Sequence, residues 1–516
     1  MKYPIGIQSF ESLREGSYVY VDKTRHIYEL ATTGKYYFLG RPRRFGKSLL
    51  ISTMEAYFLG KRDLFKGLAI EELEKNWTVY PVLHLDLNSE KYDNVKNLAS
   101  ILNYYLSGWE KIYGTAPEET TSRLRFMGLI RRAYEKTGHP VVVLIDEYDK
   151  PELQSFDKPE LQDELRNELK AFYSVLKTQD RYIRFAFLTG VTKFGKKSVF
   201  SDLNNLKDIS MDNRYIDICG ITEKEIHIYF EGAIKDLAET NEMTYEEAFA
   251  KLREQYNGYH FEYDTLGIYN PFSLLSTLDS KKYKDYWFET GTPTFLVKML
   301  QQSNYDLSRL QKEELTELRL KSVDSAPKDP VPLIYQSGYL TIKGYDKLFQ
   351  TYQLGFPNKE VENGFINFLL LQYMPVEEDT TEFDARHFVK ELKIGDVEGF
   401  MSRLATFFEA TDYRVAVKKE ADFQSALYII FWMIGQYVEV EHASARGRAD
   451  ITIKTKDYVY ILECKLDGSS IDALRQIEEK GYAKPYEKDP RRLYKIGVNF
   501  SSERRAIADW KIEKQG

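Results

Sequence analysis

The chain has 516 residues and a formal net charge of −7, with 72 Lys and Arg against 79 Asp and Glu. That length allows several domains and more than one core, and that charge excludes a protein that coats nucleic acid non-specifically. Two cysteines, Cys219 and Cys464, cannot build a disulfide framework, and with seven scattered histidines they argue against a zinc site.

No apolar run approaches the length of a membrane-crossing helix, and Met1 to Gly6 lacks the apolar stretch of a secretory signal. A cytoplasmic protein with no membrane partner is therefore expected. The 39 Tyr and 30 Phe are read as core and half-buried positions.

From residue 1 to about 210, short apolar runs alternate with helical stretches. Strands are expected at Tyr36–Leu39, Val82–Leu87, Val141–Ile145 and Arg184–Leu188. Each is nearly continuously apolar, as in a parallel sheet covered on both faces, and the intervening helices give a βαβ pattern.

Between the first strand and a helix expected over Ser48–Phe58 lies Gly40-Arg41-Pro42-Arg43-Arg44-Phe45-Gly46-Lys47-Ser48. A Gly-Lys-Ser at a strand-to-helix turn surrounds a phosphate with backbone N–H groups and the helix N-terminus. Here Gly40 stands six positions before Gly46, one more than in the common P-loop. Taken alone, the segment also reads as a basic turn capped by Ser48.

The Val141–Ile145 run ends in Asp146-Glu147, the form of a Walker B element. Together the two elements predict ATP with Mg²⁺. Lys47 then faces the β- and γ-phosphates, Ser48 and Asp146 hold the metal, and Glu147 orients the attacking water. Gly46, Arg43 and Arg44 complete the phosphate contacts, though the two arginines equally suit a solvated surface. Thr189, before Gly190, either senses the γ-phosphate or is an ordinary strand end. Arg181 and Arg184 are guesses for an arginine acting across a homo-oligomer.

Residues 211 to about 375 are helix-rich. Thr222-Glu223-Lys224-Glu225 and Thr244-Tyr245-Glu246-Glu247 read as capping boxes. Tyr256-Asn257-Gly258-Tyr259 and Tyr269-Asn270-Pro271 read as turns. A small strand pair is expected around Ile334–Ile342, and the acidic stretch Pro375–Glu382 reads as a linker. The aromatic turns of this region are either a lid over the nucleotide or packing.

After a helical run to about residue 435 come Ala449-Asp450-Ile451-Thr452-Ile453 and Val459-Tyr460-Ile461-Leu462-Glu463-Cys464-Lys465. These read as a hairpin. With Lys456-Asp457 as its turn, Asp450 falls opposite Glu463, and Lys465 shares their face because strand side chains repeat every two residues. Ile451, Ile453, Tyr460, Leu462 and Cys464 form the other, core face. Two opposed carboxylates repel unless a cation lies between them, and a divalent cation held there activates water.

The order Tyr20-Val21-Asp22-Lys23-Thr24, Arg41–Ser48, Ile145-Asp146-Glu147-Tyr148-Asp149-Lys150-Pro151 and Leu188-Thr189-Gly190 resembles the AAA-ATPase-like family of bacterial proteins. Members of that family often carry a C-terminal domain of the PD-(D/E)XK nuclease superfamily, and the long loop is usual in them. Asp450, Glu463 and Lys465 resemble the D…E-x-K core of those nucleases, entered through Gly447-Arg448-Ala449-Asp450. The resemblance implies a further acid on the upstream helix, for which Glu420 is the candidate metal ligand, and a following helix whose Gln476 and Lys480 reach the site.

The fold class expected is α/β: an ASCE-type P-loop parallel-sheet core over 1–210, a helix-rich middle or lid region over 211–375, and a restriction-endonuclease-like α/β domain over 385–516. The function expected is an ATP-dependent or ATP-gated, metal-dependent nuclease with DNA or RNA as partner. The alternatives are a nucleotide-switched module whose C-terminal domain only binds nucleic acid or a partner, and a plain regulatory ATPase. Residues 401–516 carry 20 Lys and Arg against 18 Asp and Glu, which is no phosphate-coating stripe. Basic residues do gather at Arg491, Arg492 and Lys495, and at Arg504 and Arg505.

Overall fold

The computed structural model describes residues 1–193, 205–289, 294–303, 305–310, 312–323, 328–373, 385–410, 420–435, 438–442, 450–504 and 506–515. The expected linker at 375–382 lies outside the described residues. Two compact units form: Met1–Met299 with Lys312–Glu362, and Leu300–Gln311 with Asn363–Gly516.

The first unit is organised by a parallel sheet of five strands: β1 (Tyr36–Gly40), β2 (Val82–Asp86), β3 (Val141–Asp146), β4 (Ile183–Gly190) and β5 (Lys207–Asp208). They lie side by side in the order β2-β3-β4-β1-β5. β4 is thus inserted between β1, which feeds the glycine loop, and β3, which ends in Asp146 with Glu147 directly after it. This is the strand order of an ASCE-type P-loop core.

All six residues of β3 are buried, as expected of a strand covered on both faces. The helices Val95–Tyr113, Ser122–Thr137 and Pro159–Tyr173 supply one apolar layer, with Phe126 and Phe172 stacked at 4.4 Å. β2 stops at Asp86, one residue short of the expected end. The Asp86 carboxylate accepts the Asn88 N–H and turns the chain into a short 3₁₀ segment, Leu87–Ser89.

The Asp22-Lys23-Thr24 motif is a structural clamp. Asp22 accepts the Thr24 hydroxyl at 2.7 Å and the Ala69 N–H at 2.7 Å, which fastens the short Ala69–Leu73 helix. Lys23 meets Glu225 at 2.5 Å.

Most of the middle residues, up to Met299 and from Lys312 to Glu362, belong to the same unit as the parallel sheet. Both expected capping boxes form, at Thr222 with Glu225 and at Thr244 with Glu247. Asn270 does more than turn the chain: its side chain accepts from the N–H groups of Phe272 and Ser273 and opens the Pro271–Ser280 helix. The expectation of strand from Ile334 is corrected. Val331–Gln336 is helical with Pro332 in its first turn, and the strand pair begins later, at Thr341–Asp346 and Thr351–Gly355, with Glu314–Thr316 added as a third strand.

The second unit has helices Ala385–Ile394, Val397–Ala410 and Glu420–Gly435 and a mixed sheet of five strands. In spatial order these are Glu439–His442, Ile451–Lys454, Tyr458–Leu466, Arg492–Ser501 and Ala506–Gln515. The first three are antiparallel. Tyr458–Leu466 and Arg492–Ser501 are parallel, connected through the Ser470–Lys480 helix, and the last pair is antiparallel again. Ile451 pairs with Leu462 and Lys454 with Val459, so the register is the one expected and Asp450 falls opposite Glu463.

The sheet is covered on both sides. Ile451, Ile453, Tyr460 and Leu462 are buried as expected, but Val459 and Ile461, on the Glu463 face, are also buried, against Leu474 and Ile477 of the Ser470–Lys480 helix.

Candidate functional sites

In the first unit, Arg41 N–H donates to Gly190 O at 3.1 Å, fixing the loop entrance to the end of β4. Arg44 has φ 65° and Gly46 φ 91°, so the loop curls through left-handed backbone before the helix Lys47–Phe58 begins. A side chain at position 46 would meet no atom within 4 Å, so glycine is needed there for its backbone freedom and not for space.

Phe45, in the middle of the loop, points inward. It is 1 % exposed and packs edge-on against Tyr259 and Phe261 at 4.8 and 5.6 Å. Trp287 donates its indole N–H to Arg43 O at 3.2 Å.

The loop walls a cleft of about 790 Å³. Arg43, Arg44, Gly46, Lys47, Ser48 and Glu147 all line it. Arg43 and Arg44 are exposed, and the Arg44 guanidinium lies 4.8 Å from the Phe272 ring centre. Lys47 is buried: its Nζ donates to Arg41 O at 3.2 Å and Pro42 O at 3.3 Å, and stands 3.3 Å from Glu147 Oε1.

Asp146, also buried, accepts the Thr189 hydroxyl at 2.5 Å and the Glu147 N–H at 3.0 Å. Thr189 therefore touches Asp146 directly. Glu147 has φ 53°, an uncommon conformation for a residue with a side chain. All eight residues expected around the nucleotide phosphates thus fall on one stretch of loop, at the ends of β3 and β4, or, for Glu147, directly after β3.

Sequence reasoning gave Asp149 and Lys150 no role beyond their place in the family motif, and it missed other neighbours altogether. Asp149 is fully buried and accepts the Val191 and Thr192 N–H groups at 3.1 and 2.6 Å and the Thr192 hydroxyl at 2.6 Å. Burial, followed by the Glu147 charge, raises its carboxyl to about 6. Lys150 bridges to Asn88 at 2.5 and 2.6 Å. The segment Pro4–Gln8 and the residues Phe272, Leu275, Trp287 and Tyr339 close the cleft. No motif marked them, because they come from turns and helix starts far apart in the chain.

Arg181 and Arg184 lie at the other end of β4, and the Arg184 guanidinium donates to Ala31 O at 2.7 Å. At about 3.3 Å per residue, Arg184 is roughly 16 Å along the strand from Thr189.

In the second unit, Glu463 is 2 % exposed and Asp450 is exposed at the strand entrance. Each of the two carboxylates accepts a backbone N–H from the facing chain segment. The Asp450 N–H donates to Glu463 Oε2 at 3.3 Å, and the Cys464 N–H donates to Asp450 Oδ2 at 2.9 Å. Burial, then the Asp450 charge, pushes the Glu463 carboxyl up to about 7, and burial raises Asp450 as well.

Gln476 is the piece that closes the cluster. Its Nε2 donates to Glu463 Oε1, and its Oε1 accepts from Lys465 Nζ, which lies 4.0 Å from the same Glu463 oxygen. The helix carrying Gln476 comes close because Gly497 sits beside Glu463 in the neighbouring strand. A Cβ at 497 would lie 2.1 Å from Ser470 O.

Lys480, on the same helix, is exposed and does not join the cluster. Glu420 opens the Glu420–Gly435 helix, and its side chain lies outside the described residues, as does Arg505. Among the described residues no group of three or more His, Cys, Asp and Glu side chains converges. Arg491 is paired with Asp489 at 2.6 Å and Lys495 with Glu478, so these two cations are neutralised within the domain.

Among the described residues no helix is long and apolar enough to cross a membrane.

Comparison with known proteins agrees with this division. Residues 4–200 match the family described as "Predicted AAA-ATPase", and residues 418–510 match the PD-(D/E)XK nuclease superfamily. A protein of Azotobacter chroococcum mcd 1, described as an uncharacterized protein in the vnfD 5' region, is 35% identical over 526 residues, covering 100% of this chain and 99% of that one. The structure of the Aeropyrum pernix ORC2 protein in its ADPNP-ADP complexes aligns over 72% of this chain and 95% of that one, at 13% identity and a TM-score of 0.22. So loose a superposition says nothing of this chain's ligands. With the Azotobacter relative matched from end to end, the chain belongs to a family of predicted AAA-ATPases bearing a C-terminal PD-(D/E)XK nuclease superfamily domain.

Proposed function

We propose that the protein is an ATP-gated, metal-dependent nuclease working in the cytoplasm. The observation that carries the nuclease half is the Asp450–Glu463 pair. A buried carboxyl at about 7 beside a second carboxylate is a site where full ionisation is held back, and a divalent cation supplies the missing counter-charge. Asp450 and Glu463 would hold Mg²⁺, with Glu420 as a further ligand. When bound, the metal supplies Lewis acidity to water and to the phosphodiester.

The chain's own groups do the rest. Lys465 offers a positive charge to the oxygens that gain charge in the transition state. Gln476 holds the Glu463 carboxylate and the Lys465 ammonium in a fixed relation. Glu463, 2 % exposed, is nearly closed to bulk water.

At the other site, Lys47 and the loop N–H groups from Arg43 to Ser48 would receive the β- and γ-phosphates of ATP, Ser48 and Asp146 would hold its Mg²⁺, and Glu147 would orient water. Thr189 fixes Asp146 through its hydroxyl. The fit rests on Lys47: its ammonium is drawn inward by two loop carbonyls and one carboxylate, in the place where a phosphate would attract it.

The test is cleavage of plasmid and of single-stranded DNA and RNA by the full chain with Mg²⁺ or Mn²⁺, with and without ATP. Cleavage is expected, and Asp450→Ala is expected to remove it. Wild type and variant equally inert under every condition would leave instead a nucleotide-switched binding module.

A further inference from the structure

Lys150 and Asn88 line the same cleft as Lys47, Ser48 and Glu147. Lys150 follows Glu147 by three residues, and its N–H donates to Glu147 O at 3.1 Å. The two residues between them turn away from the cleft. Tyr148 is buried, with its N–H on Thr189 O at 3.0 Å and its hydroxyl on Thr192 O at 2.8 Å. Asp149 is buried on the Val191 and Thr192 N–H groups. Both fasten this turn to the exit of β4, and Glu147 and Lys150 are left on the cleft wall.

The Lys150 ammonium is held there by neutral groups. It donates to Asn88 O at 2.5 Å and Asn88 Oδ1 at 2.6 Å, and among the described residues no carboxylate lies within ion-pair distance of it. Burial lowers its pKa, and the Glu147 and Asp86 charges oppose that from further away. An anion that reached this ammonium would favour its charged form.

The other cations of the cleft are placed differently. Lys47 is paired with Glu147, and Arg43 and Arg44 stand on the glycine loop, Arg44 against Phe272. Among the described residues that line the cleft, Lys150 is the one cation that comes from the turn carrying Glu147. That is the end where attacking water and γ-phosphate would meet. Phosphoryl transfer calls for positive charge there beyond that of the loop lysine, commonly from an arginine. Arg181 and Arg184, at the far end of β4, cannot supply it within one chain.

We propose that Lys150 is a catalytic residue of the ATPase site: its ammonium contacts the γ-phosphate, distinguishes ATP from ADP, and neutralises the charge that gathers on the γ-oxygens during hydrolysis. This rests on the ATPase reading above. In that step the water oxygen bonds to the γ-phosphorus, and the bond from that phosphorus to the β–γ bridging oxygen breaks. ADP leaves with the electron pair, and the water proton passes through Glu147 to solvent. Asn88 is the positioning residue that holds the ammonium at the cleft wall.

The experiment compares the full chain with Lys150→Met, which keeps the reach of the side chain and removes its charge. It measures steady-state hydrolysis of ATP and equilibrium binding of ADP and of the non-hydrolysable β,γ-imido analogue of ATP. Wild type is expected to bind the analogue more tightly than ADP. In Lys150→Met that preference is expected to vanish, ADP binding to stay within about twofold, and kcat to fall about a hundredfold. Lys150→Arg is expected to regain at least about a tenth of wild-type kcat. Asn88→Ala, which leaves the ammonium in the cleft, is expected to lose no more than about fivefold. Lys150→Gln serves if circular dichroism shows the Met variant misfolded.

No preference for the analogue in wild type, an unchanged kcat in the uncharged variant, parallel loss of ADP and analogue binding, or equal losses in Asn88→Ala and Lys150→Met each overturns the inference and leaves ATP binding standing. Wild type that binds neither nucleotide overturns the ATPase reading and this inference together.

Discussion

Lys47 Nζ and Glu147 Oε1 stand 3.3 Å apart, an ion pair between the residue that closes the glycine loop and the acid directly after β3. Phosphate binding at Lys47 would break this pair and free Glu147. The two residues should therefore fail differently. Lys47→Ala is expected to weaken binding of a fluorescent ATP analogue by about tenfold or more, because it removes the phosphate counter-charge. Glu147→Gln is expected to bind at least as tightly as wild type and to lose about a hundredfold in hydrolysis, since only water positioning is removed. Equal loss of binding in both variants would contradict separate roles.

Trp287 reports on the loop. Its indole N–H holds Arg43 O at 3.2 Å and its ring lies 4.9 Å from Tyr339. Addition of ATP should change tryptophan emission in wild type, and the change should vanish in Trp287→Phe although the other four tryptophans remain. A signal that survives in the variant would place the rearrangement elsewhere.

The metal site should show its acid–base character in stability. Glu463 titrates at about 7 in the fold against an ordinary 4.5, so the fold holds this proton more tightly than the unfolded chain does. That contribution is complete below about 4.5 and is lost as pH rises through about 7. Without metal, Glu463→Gln is therefore expected to melt above wild type by about 2–4 °C near pH 8, and to show no such gain near pH 4.5. Mn²⁺ should raise the melting temperature of wild type increasingly as pH rises from about 6 to about 8, and should not affect the variant. Scanning fluorimetry across pH with and without Mn²⁺ checks both.

Gln476 and Gly497 form one device. Gln476→Ala removes the group shared by Glu463 and Lys465, and cleavage is expected to fall about 10–100-fold, with the Mn²⁺ concentration for half-activity rising in step. Gly497→Ala pushes Ser470 O and Leu474 away and should reproduce the same metal phenotype without touching either carboxylate. If Gly497→Ala cleaves with unaltered Mn²⁺ dependence, helix placement does not govern the site.

Period and turn chemistry made much of this legible. The alternation on either side of Lys456-Asp457 fixed which residues face each other, so Asp450 opposite Glu463 followed from counting alone. Gly46-Lys47-Ser48 and Asp146-Glu147 were readable because each sits where an apolar run stops. Gln476 was a candidate only through family resemblance, since one amide on a polar helix face carries no periodic signal, and its reach depends on Gly497 in a strand 21 residues further on. Phe45 and Arg41 were hidden differently. Within a basic loop neither drew a reading of its own, and the Tyr259–Phe261 segment, more than two hundred residues away, helps to make them interior.

That anchoring has a thermodynamic consequence. Phe45 between two rings, Arg41 across Phe261 and the Arg43 carbonyl under Trp287 hold the loop in shape on its own. Freezing a flexible residue costs about 1–2 kcal/mol of backbone entropy, and here the fold has already met that cost before any ligand arrives. Association should accordingly carry only a small entropic penalty from the loop, and a gain in affinity without new contacts is what such pre-organisation gives.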